Sequence, residues 1–221
     1  MQERQLPQIR KPKVALDIDG TLADVYSFII NEWNRLSGKS FKISDADDYN
    51  PSKSKLQMPL EEFLRIYDDA WNENAMEICP TVTEQELNRF ANHFNVEIVT
   101  RRSSSTKDSL HKWLKHNFPS LDFKVLLVEH IKDKLKLDHD IIIDDAPQIW
   151  TSFHQNDPLT ESKWLYAPYR PWNGKIISSM PPSSRMASAY TLSNCFKMAI
   201  HDHAYLAESL HKKNKASNSI S

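Results

Sequence analysis

Short apolar runs that stop abruptly at polar residues punctuate the chain and constrain its fold more than any other feature. VALDI at 14–18, VEIVT at 96–100, FKVLLV at 123–128 and DIIID at 140–144 are compact and rich in β-branched residues, the mark of strands buried on both faces. A weaker fifth run is KWLYA at 163–167. Helical patterns lie between them. Leu87, Phe90, Ala91 and Phe94 follow helical spacing behind Thr83 and Glu86, which are spaced as a capping box. Residues 106–117 place Leu110, Trp113 and Leu114 on one face, and Pro147 suits the first turn of a helix carrying Ile149, Trp150 and Phe153. This alternation predicts right-handed crossovers and a mainly parallel sheet covered on both faces, an α/β layered fold. Ligands of such sheets collect beyond the carboxyl ends of the strands, so the polar residues closing each run are the place to look for chemistry.

Residues 25–79 interrupt the alternation. Val25, Phe28, Ile29, Trp33 and Leu36 form one apolar stripe and Leu60, Phe63, Leu64, Tyr67 and Trp71 another, separated by the acidic stretch SDADDYNPSKSK. The pattern predicts a small helical insertion after the first strand. A last helical pattern over about 193–210, with Phe196, Ala199, Ile200, Ala207 and Leu210, is expected to pack back on the core. The expected organisation is a core of residues 10–24 and 80–212, an insertion of residues 25–79, and a solvated tail at 213–221.

With 221 residues the chain can bury a real core as one domain with an elaboration. No segment approaches the roughly 18 apolar residues of a membrane span, and the first residues lack the apolar run of a secretory leader. Two cysteines suggest thiols, and the expected setting is the cytoplasm. A formal net charge of −1 supplies no field to gather a polyanion, so nucleic acid is not the expected partner and any phosphate chemistry must be local.

DIDGT at 17–21 carries that chemistry. Asp17 and Asp19, at the end of a buried strand, repel each other and call for a compensating cation. Mg²⁺ is the natural candidate, a hard ion that binds one or two carboxylates together with waters and a substrate phosphate. Gly20, one of only three glycines in the chain, allows a sharp turn where a side chain would obstruct a ligand. Asp144 and Asp145 close the most apolar strand and would converge on the same ion. Thr100 and Arg101, at the end of VEIVT, and Lys134, ten positions before Asp144, could supply donors for a phosphate.

Taken together these residues resemble the four motifs of the haloacid dehalogenase-like phosphohydrolases: DIDGT at 17–21, Thr100, Lys134, and the Asp144–Asp145 pair, in that order. The resemblance spans roughly residues 13–170. It implies a Rossmann-like three-layer core with a mainly parallel sheet, and a helical cap inserted after the first strand. Asp17 is implied to be the nucleophile that forms an aspartyl-phosphate, and Asp19 the general acid and base. Mg²⁺ is implied to be held by Asp17, the backbone carbonyl of Asp19, Asp144 and Asp145, and the phosphate by Thr100 and Lys134, with Arg101 beside Thr100 as a further phosphate-binding candidate read from its place at the strand end.

DKLKLDHDIIIDDAP, DIDGTLAD and WLYAPYRPWN are further similar to segments of the 5′(3′)-deoxyribonucleotidases. The implied substrate is a small phosphomonoester, a 5′-(deoxy)nucleoside monophosphate. Sugar phosphates, nucleic-acid 3′-phosphate ends and a non-catalytic binding role stand as alternatives, and a homodimer stays open. Val25 stands where pyrimidine-preferring members carry an aromatic residue, which leaves the base open.

Other residues have blander readings. Arg102 reads as a surface charge, and Ser103 to Ser105 as a loop and helix cap. Tyr26, Phe28, Tyr67 and Trp71 read as packing residues, with stacking on a base as the alternative. Trp172 is expected either to pack or to border the pocket. His201, Asp202 and His203 face different sides of a helix and do not form a metal site. Cys79 and Cys195 lack a metal or redox pattern.

Overall fold

The computed structural model describes residues 10–180 and 182–204. The five apolar runs form strands β1 (Lys13–Leu16), β2 (Asn95–Arg101), β3 (Lys124–Val128), β4 (Ile141–Ile143) and β5 (Trp164–Pro168). A sixth, β6 (Met186–Ala189), was not expected. Its sequence, MASA, contains no β-branched residue, and pairing with β5 places it in the sheet. The six-stranded sheet has the order β3-β2-β1-β4-β5-β6, and every neighbouring pair is parallel.

Side chains alternate across this sheet into two apolar layers. Val14, Leu16, Ile98, Ile141 and Ile143 face one way, toward α3 (Glu84–His93), α4 (Lys107–Asn117) and a helix at residues 192–204. Phe90 and Phe196 stack there with ring centroids 4.2 Å apart. Ala15, Val99, Ile142 and Leu165 face the other way, toward α5 (Pro147–His154) and α6 (Gly174–Ser179). The expected three-layer α/β architecture is therefore present. The predicted capping box forms as well, with the Glu86 amide donating to Thr83 Oγ1 at 3.3 Å and the Thr83 amide to Glu86 Oε2 at 2.9 Å. Of the last helical pattern, Phe196 and Ala199 are buried; Ala207, Leu210 and the tail lie outside the described residues.

The chain leaves the core after Ala23 and returns at Pro80, where the two residues form an antiparallel bridge. Flanking amides close this neck: Asp24 N donates to Cys79 O and Thr81 N to Leu22 O, each at 2.9 Å. Between them lie α1 (Val25–Ser37) and α2 (Leu60–Asn72), packed on each other. Asp24 caps α1 through Ser27 N. The expected apolar stripe of α2 is only partly a packing stripe. Ile66, Ala70 and Trp71 are buried, whereas Leu60 and Leu64 are 50% and 47% exposed and face a cavity between α2 and the sheet.

Candidate active site

In the strand order β3-β2-β1-β4-β5-β6 the chain runs outward from β1 to β3 and then crosses to β4, so β1 and β4 flank the switch point where an open sheet leaves a crevice. Asp17 follows β1 directly, its amide donating to Ile143 O at 3.0 Å, and Asp144 follows β4. The two carboxylates thus emerge side by side because their strands are neighbours. Asp17, Asp144 and Asp145 each offer a carboxylate oxygen, all within 4.8 Å of one another, and all three residues are buried.

Lys134 sits among them, on a 3-10 segment at Ile131–Lys136. Its Nζ donates to Asp17 Oδ1 at 2.6 Å and to Asp144 Oδ2 at 2.7 Å. Burial works against the ammonium, but Asp144 and Asp17 outweigh it and hold its pKa above that of an ordinary lysine. The neighbouring candidate Lys132 is exposed. Asp145 Oδ1 accepts from Thr21 Oγ1 at 2.9 Å, and its Oδ2 accepts from Trp172 Nε1 at 2.6 Å. Trp172 therefore packs and polarises at once, stacking on Tyr26 with centroids 3.8 Å apart.

One ammonium does not balance three buried carboxylates. Burial drives the Asp17 carboxyl well above the usual carboxylate range, Lys134 opposing and Asp144 and Asp145 adding. Asp145 is pushed up to about 7, chiefly by burial and then by Asp144. Three convergent carboxyl groups, whose ionised forms burial disfavours unless a further cation is present, fit a hard divalent cation, and Asp17, Asp144 and Asp145 are the residues that would hold it.

Asp19 turns away from this group. The loop after β1 folds back on itself, Ala23 N donating to Ile18 O at 2.7 Å, and Gly20 adopts φ +77°. Asp19 Oδ2 accepts from Tyr67 OH at 2.7 Å, and its Oδ1 accepts from Trp71 Nε1 at 3.1 Å. Tyr67 and Trp71 thus use their polar tips as well as their rings. Thr100, 1% exposed, places Oγ1 3.5 Å from Asp19 Oδ2. Arg101 reaches the cavity wall, but its exposed side chain donates through Nε to Glu129 O at 3.3 Å.

The surface reading of Arg102 is overturned. Its side chain is 1% exposed and ion-pairs with Asp19, beneath α2. A signal was available: side chains alternate along a strand, so Thr100 and Arg102 share a side of β2 and its extension while Arg101 takes the other.

Solved structures of similar shape place this arrangement in context. A protein assigned as a haloacid dehalogenase-like hydrolase from Burkholderia xenovorans LB400 superposes with a TM-score of 0.55 at 14% identity, covering 87% of this chain and 98% of its own. A haloacid dehalogenase-like family hydrolase from Xanthomonas campestris gives 0.50 at 11% identity, with 89% and 98% covered.

The chain has the haloacid dehalogenase-like fold.

No protein-family model and no curated protein matches the sequence. Within the haloacid dehalogenase-like fold, the motif residues predicted from sequence separate into two groups: Asp17, Lys134, Asp144 and Asp145 around one centre, and Asp19 with Thr100 at the edge facing α2. His201, Asp202 and His203 join neither. His203 lies edge-on to Phe94 and Trp164, and Asp202 accepts from Tyr166 OH at 2.9 Å. Cys79 is exposed and Cys195 buried, both as free thiols. Among the described residues no helix is long and apolar enough to cross a membrane.

Proposed function

We propose that the chain is a Mg²⁺-dependent phosphatase that hydrolyses nucleoside monophosphates through an aspartyl-phosphate on Asp17. The observation that carries the reading is the buried juxtaposition of Asp17 with Lys134, Asp144 and Asp145 at the sheet's switch point. Asp17 attacks phosphorus in line with the departing oxygen, splitting one difficult hydrolysis into two displacements. Lys134 orients Asp17 and offers its charge to the phosphoryl oxygens, together with Thr100 Oγ1. Asp19, at the cavity edge, gives a proton to the departing oxygen and later takes one from the attacking water. A divalent ion held by Asp17, Asp144 and Asp145 would screen the repulsion between carboxylate and phosphate.

The leaving group is read from the cavity wall. The cavity above the carboxylates measures about 290 Å³, near the lower end of small-molecule pockets. Tyr49, Leu60, Phe63 and Leu64 line it from the insertion. An exposed apolar and aromatic wall opposite a phosphate-binding end matches a planar base joined to a phosphate.

The test is phosphate release from a panel of ribo- and 2′-deoxynucleoside monophosphates and sugar phosphates, with and without Mg²⁺. Nucleotides should exceed sugar phosphates in kcat/KM, and Asp17→Asn should abolish release while leaving the thermal transition in place. A fully active Asp17→Asn protein, or sugar phosphates turned over as well as nucleotides, would refute the corresponding half of the reading.

A further inference from the structure

We propose that Arg102 is a positioning residue that couples seating of the insertion helix α2 to the orientation of Asp19. The inference rests on the reading of Asp19 as the acid and base of phosphoryl transfer. Four donors surround that carboxylate: Trp71 Nε1 at 3.1 Å, Tyr67 OH at 2.7 Å, Thr100 Oγ1 at 3.5 Å, and Arg102 through Nη2. Tyr67 and Trp71 belong to α2, and Thr100 and Arg102 to the end of β2 and the residue beyond it. Asp19 is thus a point at which α2 is fastened to the core.

Arg102 has no other purpose visible among the described residues. Its guanidinium carbon lies 3.8 Å from the Trp71 ring centroid and 5.2 Å from that of Tyr67, the geometry of a cation held against aromatic faces. Its Nε and Nη1 are buried without a partner. Leaving two guanidinium nitrogens unmatched is costly; a surface-seeking arginine would swing out to hydrate them. What holds it is Asp19 and the two rings of α2. Lifting α2 would strip Asp19 of two donors and Arg102 of both rings together, so cap position and carboxylate orientation change as one.

The chemistry gives the coupling a use. As the Asp17–phosphorus bond forms and the bond to the leaving oxygen breaks, the Asp19 proton passes to that oxygen, and the carboxylate left behind is the species the four donors hold. With α2 seated, Asp19 keeps the orientation at the cavity edge that these donors impose; with α2 raised, it does not.

The test uses the purified full chain with Mg²⁺, an alkyl phosphomonoester whose leaving oxygen must be protonated, and p-nitrophenyl phosphate, whose phenolate leaves unaided. Arg102→Met keeps an apolar stem against Trp71. It should lower kcat for the alkyl ester roughly a hundredfold but for p-nitrophenyl phosphate by less than about tenfold, with KM little changed. Hydrogen exchange of the α2 amides should quicken, Arg102→Lys should recover part of the loss, and Arg102→Met added to Asp19→Asn should cost nothing further. Tyr67→Phe, which keeps the ring, should show the same leaving-group bias in milder form and decides the matter if Arg102→Met does not fold. Equal losses on both esters, unchanged α2 exchange, or additive effects with Asp19→Asn overturn the proposal. A wild-type protein that releases no phosphate defeats the phosphatase reading instead, and α2 exchange in Arg102→Met then still decides whether Arg102 fastens the insertion.

Discussion

Gly20 and Asp145 lie so close that a Cβ on Gly20 would sit 2.6 Å from Asp145 Oδ2, and 2.8 Å from Cζ2 of the Trp172 that donates to the same oxygen. The glycine at φ +77° therefore serves two ends. It supplies a left-handed turn that L-residues resist, and it leaves room for a carboxylate and an indole to close over the loop.

Gly20→Ala should accordingly be costly twice. Backbone strain and forced displacement of Asp145 together should lower stability by about 2–4 kcal/mol, read as a fall in the urea midpoint at constant slope. Phosphatase activity should fall with it, since Asp145 cannot keep its place. A variant as stable and as active as the parent would show that the loop relaxes freely and that the close packing is dispensable.

Lys134→Ala leaves Asp17, Asp144 and Asp145 facing one another without the ammonium that sits 2.6 Å and 2.7 Å from two of them. Removing one partner of such a buried group costs about 3–5 kcal/mol. Mg²⁺ should restore part of this, because a divalent ion supplies the missing charge and binds only the folded site. Thermal melts with EDTA and with millimolar Mg²⁺ should therefore differ more for Lys134→Ala than for the parent. Lys132→Ala, on an exposed position, should melt like the parent in both buffers.

His139 predicts a pH dependence away from the Asp17, Asp144 and Asp145 cluster. Its Nε2 meets Glu97 Oε2 at 3.0 Å, and Nδ1 is buried without a partner. Burial lowers its pKa from the ordinary 6.5; the Glu97 carboxylate opposes this, and Lys163 and Lys13 add to it. As pH falls through the unfolded value near 6.5, the unfolded chain takes up a proton that the folded chain resists. This contribution to stability is complete above that pH and is lost as pH falls from it toward the depressed folded value. Urea midpoints measured between about pH 7.5 and pH 5.5 should decline, and His139→Gln should flatten that decline. An identical slope in the variant would assign the dependence elsewhere.

What was legible in the sequence was whatever local pattern decides. VALDI and DIIID read as buried strands from their short β-branched runs, Thr83 and Glu86 could complete a cap within one turn, and the carboxylates closing neighbouring strands had to meet once β1 and β4 paired. The illegible parts were set by distant partners. MASA becomes β6 because β5 offers an edge. Periodicity marks α2 as amphipathic but does not say whether its apolar side meets a core or a cavity, and Leu60 and Leu64 meet a cavity. Arg102 looks like half of a charged pair, and its burial depends on Tyr67 and Trp71, more than thirty positions earlier in the chain.

The half-exposed wall of α2 bears on how the leaving group is bound. Phe63 lines the cavity beside Leu60 and Leu64, its ring 6.0 Å from that of Tyr67 and 6.1 Å from that of Tyr26. Being a wall residue with no polar atom to offer the reacting phosphate, it should touch the leaving group equally in the ground and transition states, which is uniform binding. Phe63→Ala should therefore raise KM for a nucleoside monophosphate about tenfold while leaving kcat within about twofold. A small phosphomonoester such as glycerol phosphate, too short to reach the wall, should be hydrolysed with unchanged constants. Were kcat for the nucleotide to collapse while KM held, Phe63 would belong to the reacting end of the site, and the apolar wall would have been misassigned as the seat of the base.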